Sequence, residues 1–385
     1  MSDPLARLRR AALRREEAGL RRRLRPRGPD FDGLIDLASN DYLGLSRDPR
    51  LVEGAVRAAR EWGTGSTGSR LVTGTTELHE ELDRRLAAFT GMPAALVFSS
   101  GFLANLGAVT ALAGPDTLVV SDRVNHASIV DACRLSRSRV VVSPHRDVAA
   151  VEEALASREE EHALVVTDAV FSVDGDLAPL RELHAAARRH GALLVIDEAH
   201  ALGVVGEHGR GAAHAAGLTG EPDVVLTLTL SKSLASQGGA VLGAPEVIET
   251  LIDVGRSFIF DTGLAPAAAG AALAALDVLA DEPELPARAR RRAARIRDMA
   301  AGLGLQTSPG RPDAAVVPVV LGDPHAAVRA ADICFEHGAR VGCFRPPSVP
   351  PGRACLRLTA RASLTEAELT VLERALQKVR AETGP

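Results

Sequence analysis

The chain has 385 residues, of which 46% are hydrophobic and 24% charged, and its formal net charge at pH 7 is −4. A chain of this length and composition is expected to form one large and one smaller globular domain, which excludes a disordered or fibrous protein. Aromatic residues make up 3% and no apolar run reaches the roughly 18 residues that a membrane helix needs, so we expect a cytoplasmic protein without nucleic-acid or membrane partners.

The N-terminal segment, residues 1–45, is expected to be helical and basic. Its first 28 residues hold ten arginines, with leucine and alanine at helical spacing. This pattern predicts a basic amphipathic helix that ends near Pro26. Such a segment is typical of a solvated surface. The alternative interpretation is that it binds an anionic cofactor.

The rest of the chain alternates between helical and strand patterns, which predicts an α/β fold. Residues 46–282 contain short apolar strands separated by helices, among them AALVF, TLVVSD, ALVVTD and ALLVID. This order is typical of a mainly parallel sheet covered on both faces, with ligands bound at the carboxyl ends of the strands. Residues 283–385 contain three further strands with helices between and after them, and they predict a smaller α+β domain.

Lysine is rare in this chain. Of 45 lysine and arginine residues, only Lys232 and Lys378 are lysines. Arginine cannot replace lysine where an amine must lose its proton and attack a carbonyl. Lys378 lies in the amphipathic pattern VLERALQKVRAE and is expected on the wet face of a helix. Lys232 follows a β-branched strand and precedes a Gly-rich turn, a position that suits either a Schiff-base lysine or a surface lysine in a loop.

Polar residues at two other strand ends fit a cofactor with a pyridine ring. Asp197 ends the strand ALLVID, and His200 follows three residues later. A carboxylate at this place is suited to hold the ring nitrogen of an aldehyde-bearing pyridine protonated. His200 and Ser172, in VFSVDGD, are expected to supply donors to the phenolic oxygen of the same ring.

A phosphate site is predicted at a helix start. The motif FSSGFLANLGAV places Ser99, Ser100 and Gly101 between a strand and a helix, where backbone N–H groups bind anions. Thr229 adds a hydroxyl three residues before Lys232, and His126 in NHAS is placed to stack on a planar cofactor. Each feature alone is also typical of a helix cap, so the prediction depends on their order, each after a separate strand.

These motifs resemble those of the α-oxoamine synthases, pyridoxal-phosphate enzymes of fold type I. The resemblance spans about residues 8–380 and is carried by LASNDYLGL, GSTGSRLVTG, SSGFLANLGAV, NHAS, VFSVDGD, DEAHALGVVGEHGRG, TLSKSLASQGG, FIFDTGLAPA and CFRPPSVPPGRACLRLT. It implies a pyridoxal 5'-phosphate-binding large domain at 46–282 with a mainly parallel sheet, and a small α+β domain at 283–385. The segment RPPSVP is most similar to that of members that use L-alanine and a pimeloyl thioester.

The resemblance implies a role for each cofactor-binding position. Lys232 matches the lysine that forms the Schiff base, Asp197 the partner of the pyridine nitrogen, and His126 the residue that stacks over the ring. The remaining cofactor positions are Ser172 and His200 at the phenolic oxygen, Ser100, Gly101, Phe102 and Thr229 at the phosphate, and Thr262 at the phosphate of the neighbouring subunit.

The resemblance also implies substrate positions. Asn40 and Arg357 match residues that hold the amino-acid carboxylate. Arg21, Arg345 and Ser348 match residues that contact the acyl substrate or product. Ser348 stands where threonine is usual and keeps the hydroxyl. Asp261 stands where many members have serine, which puts a carboxylate near the proposed phosphate site.

The implied reaction is the decarboxylative condensation of L-alanine with pimeloyl-CoA or a pimeloyl carrier protein in biotin biosynthesis, by a homodimer with shared active sites. Glycine with acetyl-CoA, or serine with a long acyl chain, are alternatives within the family. The D-E-A-H motif also occurs in helicases, but those need an upstream phosphate-loop lysine, and no lysine precedes Lys232. The cysteines lack C-x-x-C spacing, so reduced thiols and no metal site are expected at Cys133, Cys334, Cys343 and Cys355.

Overall fold

The computed structural model describes residues 3–309 and 313–383. Within them the helices are α1 (Ala6–Glu17), α2 (Pro49–Trp62), α3 (Glu77–Thr90), α4 (Gly101–Leu112), α5 (Ala127–Leu135), α6 (Val148–Ala156), α7 (Leu180–Arg189), α8 (Ala212–Ala215), α9 (Pro245–Val254), α10 (Arg256–Ile259), α11 (Pro266–Asp281), α12 (Leu285–Gly302), α13 (Pro324–Glu336) and α14 (Glu366–Thr383). The strands are β1 (Ile35–Leu37), β2 (Ala94–Phe98), β3 (Thr117–Asp122), β4 (Arg139–Ser143), β5 (His162–Asp168), β6 (Leu193–Asp197), β7 (Val224–Thr229), β8 (Gly239–Gly243), β9 (Val316–Gly322), β10 (Ala339–Phe344) and β11 (Ala354–Thr359).

These elements form two compact units. The first contains the described residues up to Ser39, Val173–Gly175, and those from Arg290 onward. The second contains Asn40–Ser172 and Asp176–Ala289.

The predicted N-terminal helix is shorter than expected. Helix α1 ends at Glu17, and Gly19 follows with a φ of +66°. The prediction of a helix to near Pro26 was therefore wrong. No residue of α1 is buried, so no packed face extends the helix beyond the point where the left-handed glycine ends it.

The second unit is built around a mainly parallel sheet, which confirms the predicted fold class. Among the described residues the strand order is β2-β8-β7-β6-β5-β3-β4, and the pairs from β7 to β4 are parallel. Strands β3 and β7 are buried at every position, as expected of strands covered on both faces. Asp168 lies opposite Asp197, and Asp197 lies opposite Thr227, so the carboxyl ends of three strands meet at one edge.

Strand β8 was not predicted, because its Gly-rich sequence was interpreted as a turn. It is antiparallel to both β2 and β7. A Cβ on Gly239 would lie 2.5 Å from the backbone nitrogen of Gly101, so this close approach of two backbones requires glycine. The same glycine that obscures the strand pattern thus allows the strand to pack against the start of α4.

The first unit is an α+β arrangement. Its sheet has the order β1-β10-β11-β9 among the described residues, with β1 parallel to β10 and the other pairs antiparallel. Helix α13 contacts the sheet and α14. The three strands predicted in residues 283–385 are present, whereas β1 has only three residues and lacks a recognisable pattern.

The cysteines are thiols, and none forms a disulfide. Burial raises the pKa of both Cys334 and Cys355 to about 12, so these thiols are unreactive core residues. Within the two described stretches of the chain, no helix is both long and apolar enough to span a bilayer.

Candidate active site

Lys232 lies in the loop after β7 and takes part in a chain of polar contacts. Its Nζ lies 2.7 Å from Nε2 of His200. The other ring nitrogen of His200, Nδ1, lies 2.6 Å from the hydroxyl of Tyr42, which donates to Oδ1 of Asn40 at 3.1 Å. The structure thus brings together three residues expected from the sequence.

Sequence reasoning missed Tyr42. It is the single tyrosine of the chain, it is 0% exposed, and it lies within the motif LASNDYLGL. A buried tyrosine usually has a partner for its hydroxyl, so a lone tyrosine in a polar motif was the available signal.

Asp197 is held at the carboxyl end of β6 by two hydrogen bonds. Its Oδ1 accepts from the backbone nitrogen of Ala199 at 2.8 Å, and its Oδ2 accepts from Nδ2 of Asn105 at 2.6 Å. Asn105 is buried on α4, and its Oδ1 accepts from Thr227 at 2.5 Å. The carboxylate is therefore fixed in orientation by α4 and β7, neither of which the sequence pattern linked to it.

The neighbouring residue of the D-E-A-H motif has a structural partner. Glu198 is buried, and it accepts from the backbone nitrogens of Ala212 and Ala213 at 2.9 and 2.6 Å. Burial raises the pKa of Glu198 to about 7. Its oxygens therefore cap the start of α8, unlike the magnesium-holding pair of the helicase alternative.

His126 is the N-cap residue of α5. Its Nδ1 lies 2.7 Å from the hydroxyl of Ser128, and its backbone nitrogen donates to Oδ2 of Asp168 at 2.9 Å. The residue is exposed at the carboxyl edge of the sheet, yet desolvation by the surrounding protein lowers the pKa of its imidazole. The charge of Asp197 opposes that change, and the charge of Lys232 adds to it.

The start of α4 forms an anion cradle. Ser100 caps the helix by accepting from the backbone nitrogen of Leu103 at 3.2 Å. A Cβ on Gly101 would lie 2.8 Å from Cβ of Thr229, so only glycine fits here. The first-turn N–H groups of Gly101 and Phe102 have no carbonyl partner within the helix. An amine, a buried carboxylate and this cradle together fit the aldehyde, ring nitrogen and phosphate of pyridoxal 5'-phosphate.

Asp261 contacts Ser99 near the start of this cradle, and Thr262 is the next residue of the chain. The hydroxyl of Ser99 donates to Oδ2 of Asp261, so the carboxylate that replaces the usual serine has a hydrogen-bond partner. Thr262 is exposed and pairs with Ser69 in an isolated β-bridge.

Ser172 lies in a tight hairpin closed by a bridge between Val170 and Leu177. A histidine outside the predicted site anchors this hairpin: Nδ1 of His145 contacts Oδ1 of Asp122 at 3.1 Å, and its Nε2 contacts Oδ2 of Asp176 at 2.9 Å. Burial alone would lower the pKa of His145, but the two carboxylates outweigh it and raise the pKa to about 9.

The predicted acyl-contact residues lie in the first unit, and two of them, Arg21 and Arg345, line a cavity of about 740 Å³. Arg345 donates to the carbonyl of Arg21 at 3.4 Å, and Arg22 donates to the hydroxyl of Ser348 at 3.1 Å. The arginines that line the cavity are Arg21, Arg22, Arg23, Arg25, Arg329 and Arg345. Glu16 and Asp332 pair with three of them, which leaves a basic excess.

Arg357 also belongs to the first unit. It lies in β11 opposite Gly342 of β10, and its residue is 3% exposed. Its guanidinium carbon lies 5.4 Å from the ring centroid of Phe344. A guanidinium buried to this extent is suited to bind a carboxylate in a fixed orientation.

One further cluster has the geometry of metal ligands among the described residues: His184, Glu221 and Asp223. The guanidinium of Arg188 pairs with both acids, and Nε2 of His184 lies 3.0 Å from Asp223. Arg188 and His184 outweigh desolvation and lower the pKa of Asp223 to about 2. These residues form an ion-pair network between α7 and the segment that precedes β7.

The chain is similar to known proteins over most of its length. The sequence model of the family Aminotransferase class I and II matches residues 32–376. An 8-amino-7-oxononanoate synthase from Mycobacterium sp. (strain KMS) is 63% identical over 98% of this chain and 97% of the relative. A solved variant of serine palmitoyltransferase from S. paucimobilis, with a bound PLP–myriocin aldimine, is 29% identical with a TM-score of 0.92 and covers 100% of both chains. The solved 8-amino-7-oxononanoate synthase from Francisella tularensis is 26% identical with a TM-score of 0.77 and covers 91% of this chain and 99% of that chain.

Proposed function

Because the chain belongs to the aminotransferase class I and II family, and within it to the 8-amino-7-oxononanoate synthases, we propose that it condenses L-alanine with a pimeloyl thioester to give 8-amino-7-oxononanoate for biotin synthesis. The observation that carries this proposal is the meeting of Lys232, His200 and Asp197 at one edge of the sheet. In the reaction, alanine Cα loses its proton and bonds to the thioester carbonyl carbon, and the C–S bond breaks to release the thiol. The carboxyl group then leaves as carbon dioxide, and Cα takes up a proton in its place.

The cofactor of the proposed reaction is pyridoxal 5'-phosphate. When bound, it supplies an electron sink that stabilises negative charge at the amino-acid Cα. Asp197 is proposed to keep the pyridine nitrogen protonated, and Ser100, Gly101, Phe102 and Thr229 to bind the phosphate. Ser172 and His200 are proposed at the phenolic oxygen, and Thr262 at the phosphate held by a partner subunit.

Lys232 and His200 are proposed to handle the proton that leaves alanine Cα. The amine of Lys232 removes it, and the contact of 2.7 Å with Nε2 of His200 holds that amine in place. Tyr42 supports the far side of the imidazole, so the amine is positioned by a chain of buried groups and not by its own flexible stem.

The two anionic parts of the substrates are assigned to arginines. Arg357 and Asn40 are proposed to bind the alanine carboxylate. Arg21, Arg345 and Ser348 are proposed to contact the acyl chain or its distal carboxylate. The basic cavity that Arg21 and Arg345 line is suited to an anionic donor, whether the thioester is carried by CoA or by an acyl carrier protein.

We further propose that two copies of the chain associate and that the enzyme works in the cytoplasm. The exposed large apolar residues of the second unit include Leu71 at 50%, Val72 at 79% and Phe260 at 72%. Phe260 precedes Asp261 and Thr262, so an apolar contact there would bring the partner close to the cradle. Four unbridged cysteines are consistent with a reducing compartment.

Substrate choice tests the proposal. The holoenzyme is mixed with L-alanine, glycine or L-serine, and the visible spectrum of the cofactor is followed. Thiol release is then measured with pimeloyl, acetyl and palmitoyl thioesters, each carried by CoA. We expect the largest spectral change with alanine and the fastest release with the pimeloyl donor. A preference for glycine with acetyl-CoA, or for serine with palmitoyl-CoA, would contradict the assignment and favour one of the other α-oxoamine synthase activities.

A further inference from the structure

Two atoms of Ser128 lie within hydrogen-bond distance of Nδ1 of His126. The hydroxyl of Ser128 lies 2.7 Å from Nδ1, and the backbone nitrogen of Ser128 lies 3.3 Å from it. A backbone N–H can only donate, so Nδ1 acts as an acceptor when it caps α5. A proton on Nδ1 would remove this cap.

The orientation of Asn105 is fixed by its neighbours. Its Nδ2 lies 2.6 Å from Oδ2 of Asp197 and 2.9 Å from the hydroxyl oxygen of Ser128. An ionised carboxylate only accepts, so the amide nitrogen, and not the amide oxygen, must face Asp197. The opposite orientation would place two acceptors 2.6 Å apart in a buried site.

The order of donors then follows from one residue to the next. Asn105 uses one amide hydrogen for Asp197 and the other for the oxygen of Ser128. The hydroxyl of Ser128 is left with one proton, and the acceptor within reach is Nδ1 of His126. Residue Ser128 is 0% exposed, so water does not offer an alternative acceptor.

We propose that Asn105 and Ser128 are positioning residues that hold the imidazole of His126 neutral, with its proton on Nε2. Asn105 donates to Asp197 and to Ser128, so the hydroxyl of Ser128 donates to Nδ1 of His126. The N–H at Nε2 is then available to donate, for example to the carbonyl oxygen of the acyl donor. This catalytic consequence depends on the proposed function, whereas the position of the proton in the protein does not.

The charged groups around His126 are compatible with a neutral ring. Asp168 accepts from its backbone nitrogen, Asp197 is linked through Asn105 and Ser128, and Lys232 is the nearby cation. Desolvation and the charge of Lys232 lower the pKa of the imidazole, while the charge of Asp197 raises it. A hydroxyl that donates to the neutral ring lowers the pKa of the imidazole further, because a hydrogen bond to the neutral form disfavours protonation.

The test is nitrogen NMR of the full chain labelled with ¹⁵N-histidine, measured with and without pyridoxal 5'-phosphate. The His126 signals are identified by their loss in a His126→Asn variant. At neutral pH we expect Nδ1 to give the shift of an unprotonated ring nitrogen and Nε2 that of a protonated one. A cationic ring, or a proton on Nδ1, would overturn the proposal from the wild-type spectrum alone.

Variants then test the route. Ser128→Ala removes the hydroxyl, and we expect the pKa of His126 to rise and the two tautomers to become mixed. Ser128→Thr keeps the hydroxyl and is expected to restore the wild-type signals. Ser136→Ala is the matched control, because Ser136 is also a buried serine at an end of α5 and donates to the carbonyl of Cys133. Unchanged His126 signals in Ser128→Ala would show that Ser128 has only a structural role.

A kinetic measurement separates this inference from the proposed function. In the holoenzyme, Ser128→Ala is expected to lower kcat roughly tenfold, with a smaller effect on KM for alanine, as is typical when a supporting residue is lost. An enzyme that fails with alanine but shows the expected tautomer would refute the proposed substrate and leave the positioning role intact.

Discussion

The carboxyl edge of the large sheet and the arginine-lined cavity of the first unit handle polar groups in different ways. At the sheet edge, Asp197, Asn105 and Ser128 are at most 4% exposed, and each has partners in fixed geometry. In the cavity, Arg21 and Arg23 share Glu16, and their side chains are 55% and 70% exposed. Buried polar groups are costly unless satisfied, whereas exposed arginines interact weakly and can change partner.

The difference indicates how each region works. A fixed network suits a site where protons must be placed at particular atoms, because a misplaced donor cannot relax into water. A flexible basic surface suits the capture of an anionic substrate whose position varies until it is bound. Substitutions should therefore have large effects at the sheet edge and small, salt-dependent effects in the cavity.

The largest effect is expected for Lys232→Ala. Loss of the amine removes the proposed covalent anchor of the cofactor and the proposed base for the Cα proton, so turnover should fall by ~10⁴-fold or more, the upper range for general acid–base groups. The visible absorbance of the bound cofactor should disappear with it. Lys378→Ala is the matched control, since the other lysine of the chain is exposed on α14. Retained colour and turnover in Lys232→Ala would refute the site.

The next largest effect is expected on the stability of the fold, when the buried ion pair between Arg70 and Asp83 is broken. Arg70 and Asp83 form an ion pair at 2.9 Å with side chains only 6% and 15% exposed. Arg70→Ala leaves a buried carboxylate without its cation, which should lower the free energy of unfolding by about 3–5 kcal/mol. Urea unfolding of the wild type, Arg70→Ala, Asp83→Asn and the double variant measures the coupling free energy between the two side chains. Additive losses in the double variant would show that the pair does not act as a unit.

The pair of carboxylates around His145 predicts a pH dependence. The folded-state pKa of about 9 lies above the ordinary value of 6.5, so protonated His145 stabilises the fold. This contribution, about 2–3 kcal/mol, is fully present below pH ~6.5 and is lost as the pH rises through ~9. We expect His145→Gln to be strongly destabilised at pH 6 and much less so at pH 9.5. An equal loss of stability at both values would contradict the assigned protonation.

The smallest effect is expected in the cavity. Arg22→Ala should raise KM for the acyl donor about three- to tenfold with little change in kcat, because an exposed charge adds modestly to binding. The effect should shrink at high salt. Arg14→Ala, on the exposed face of α1 and outside the cavity lining, is the control. Equal effects of both substitutions would indicate that the cavity has no particular role.

The chain order of polar residues was enough to predict a cofactor site. Asp197 and Thr229 each end a buried strand, and Lys232 follows Thr229 by three residues. The carboxyl ends of parallel strands share an edge, so the proximity of these residues followed from periodicity and from the chemistry of a lone lysine. The resemblance to a family extended this to individual roles at Arg357 and Thr262, for which mutagenesis is the remaining test.

Only the tertiary structure decided which groups support those residues. Tyr42 lies 158 positions from His200, and Asn105 lies 92 positions from Asp197, so their contacts depend on how helices and loops close over the sheet. The position of Gly101 beside β8 was equally invisible, since a glycine in sequence does not reveal which backbone will approach it. Local patterns report the preferences of neighbouring residues, whereas hydrogen-bond partners distant in sequence are set by packing, and packing determines where each proton of this site resides.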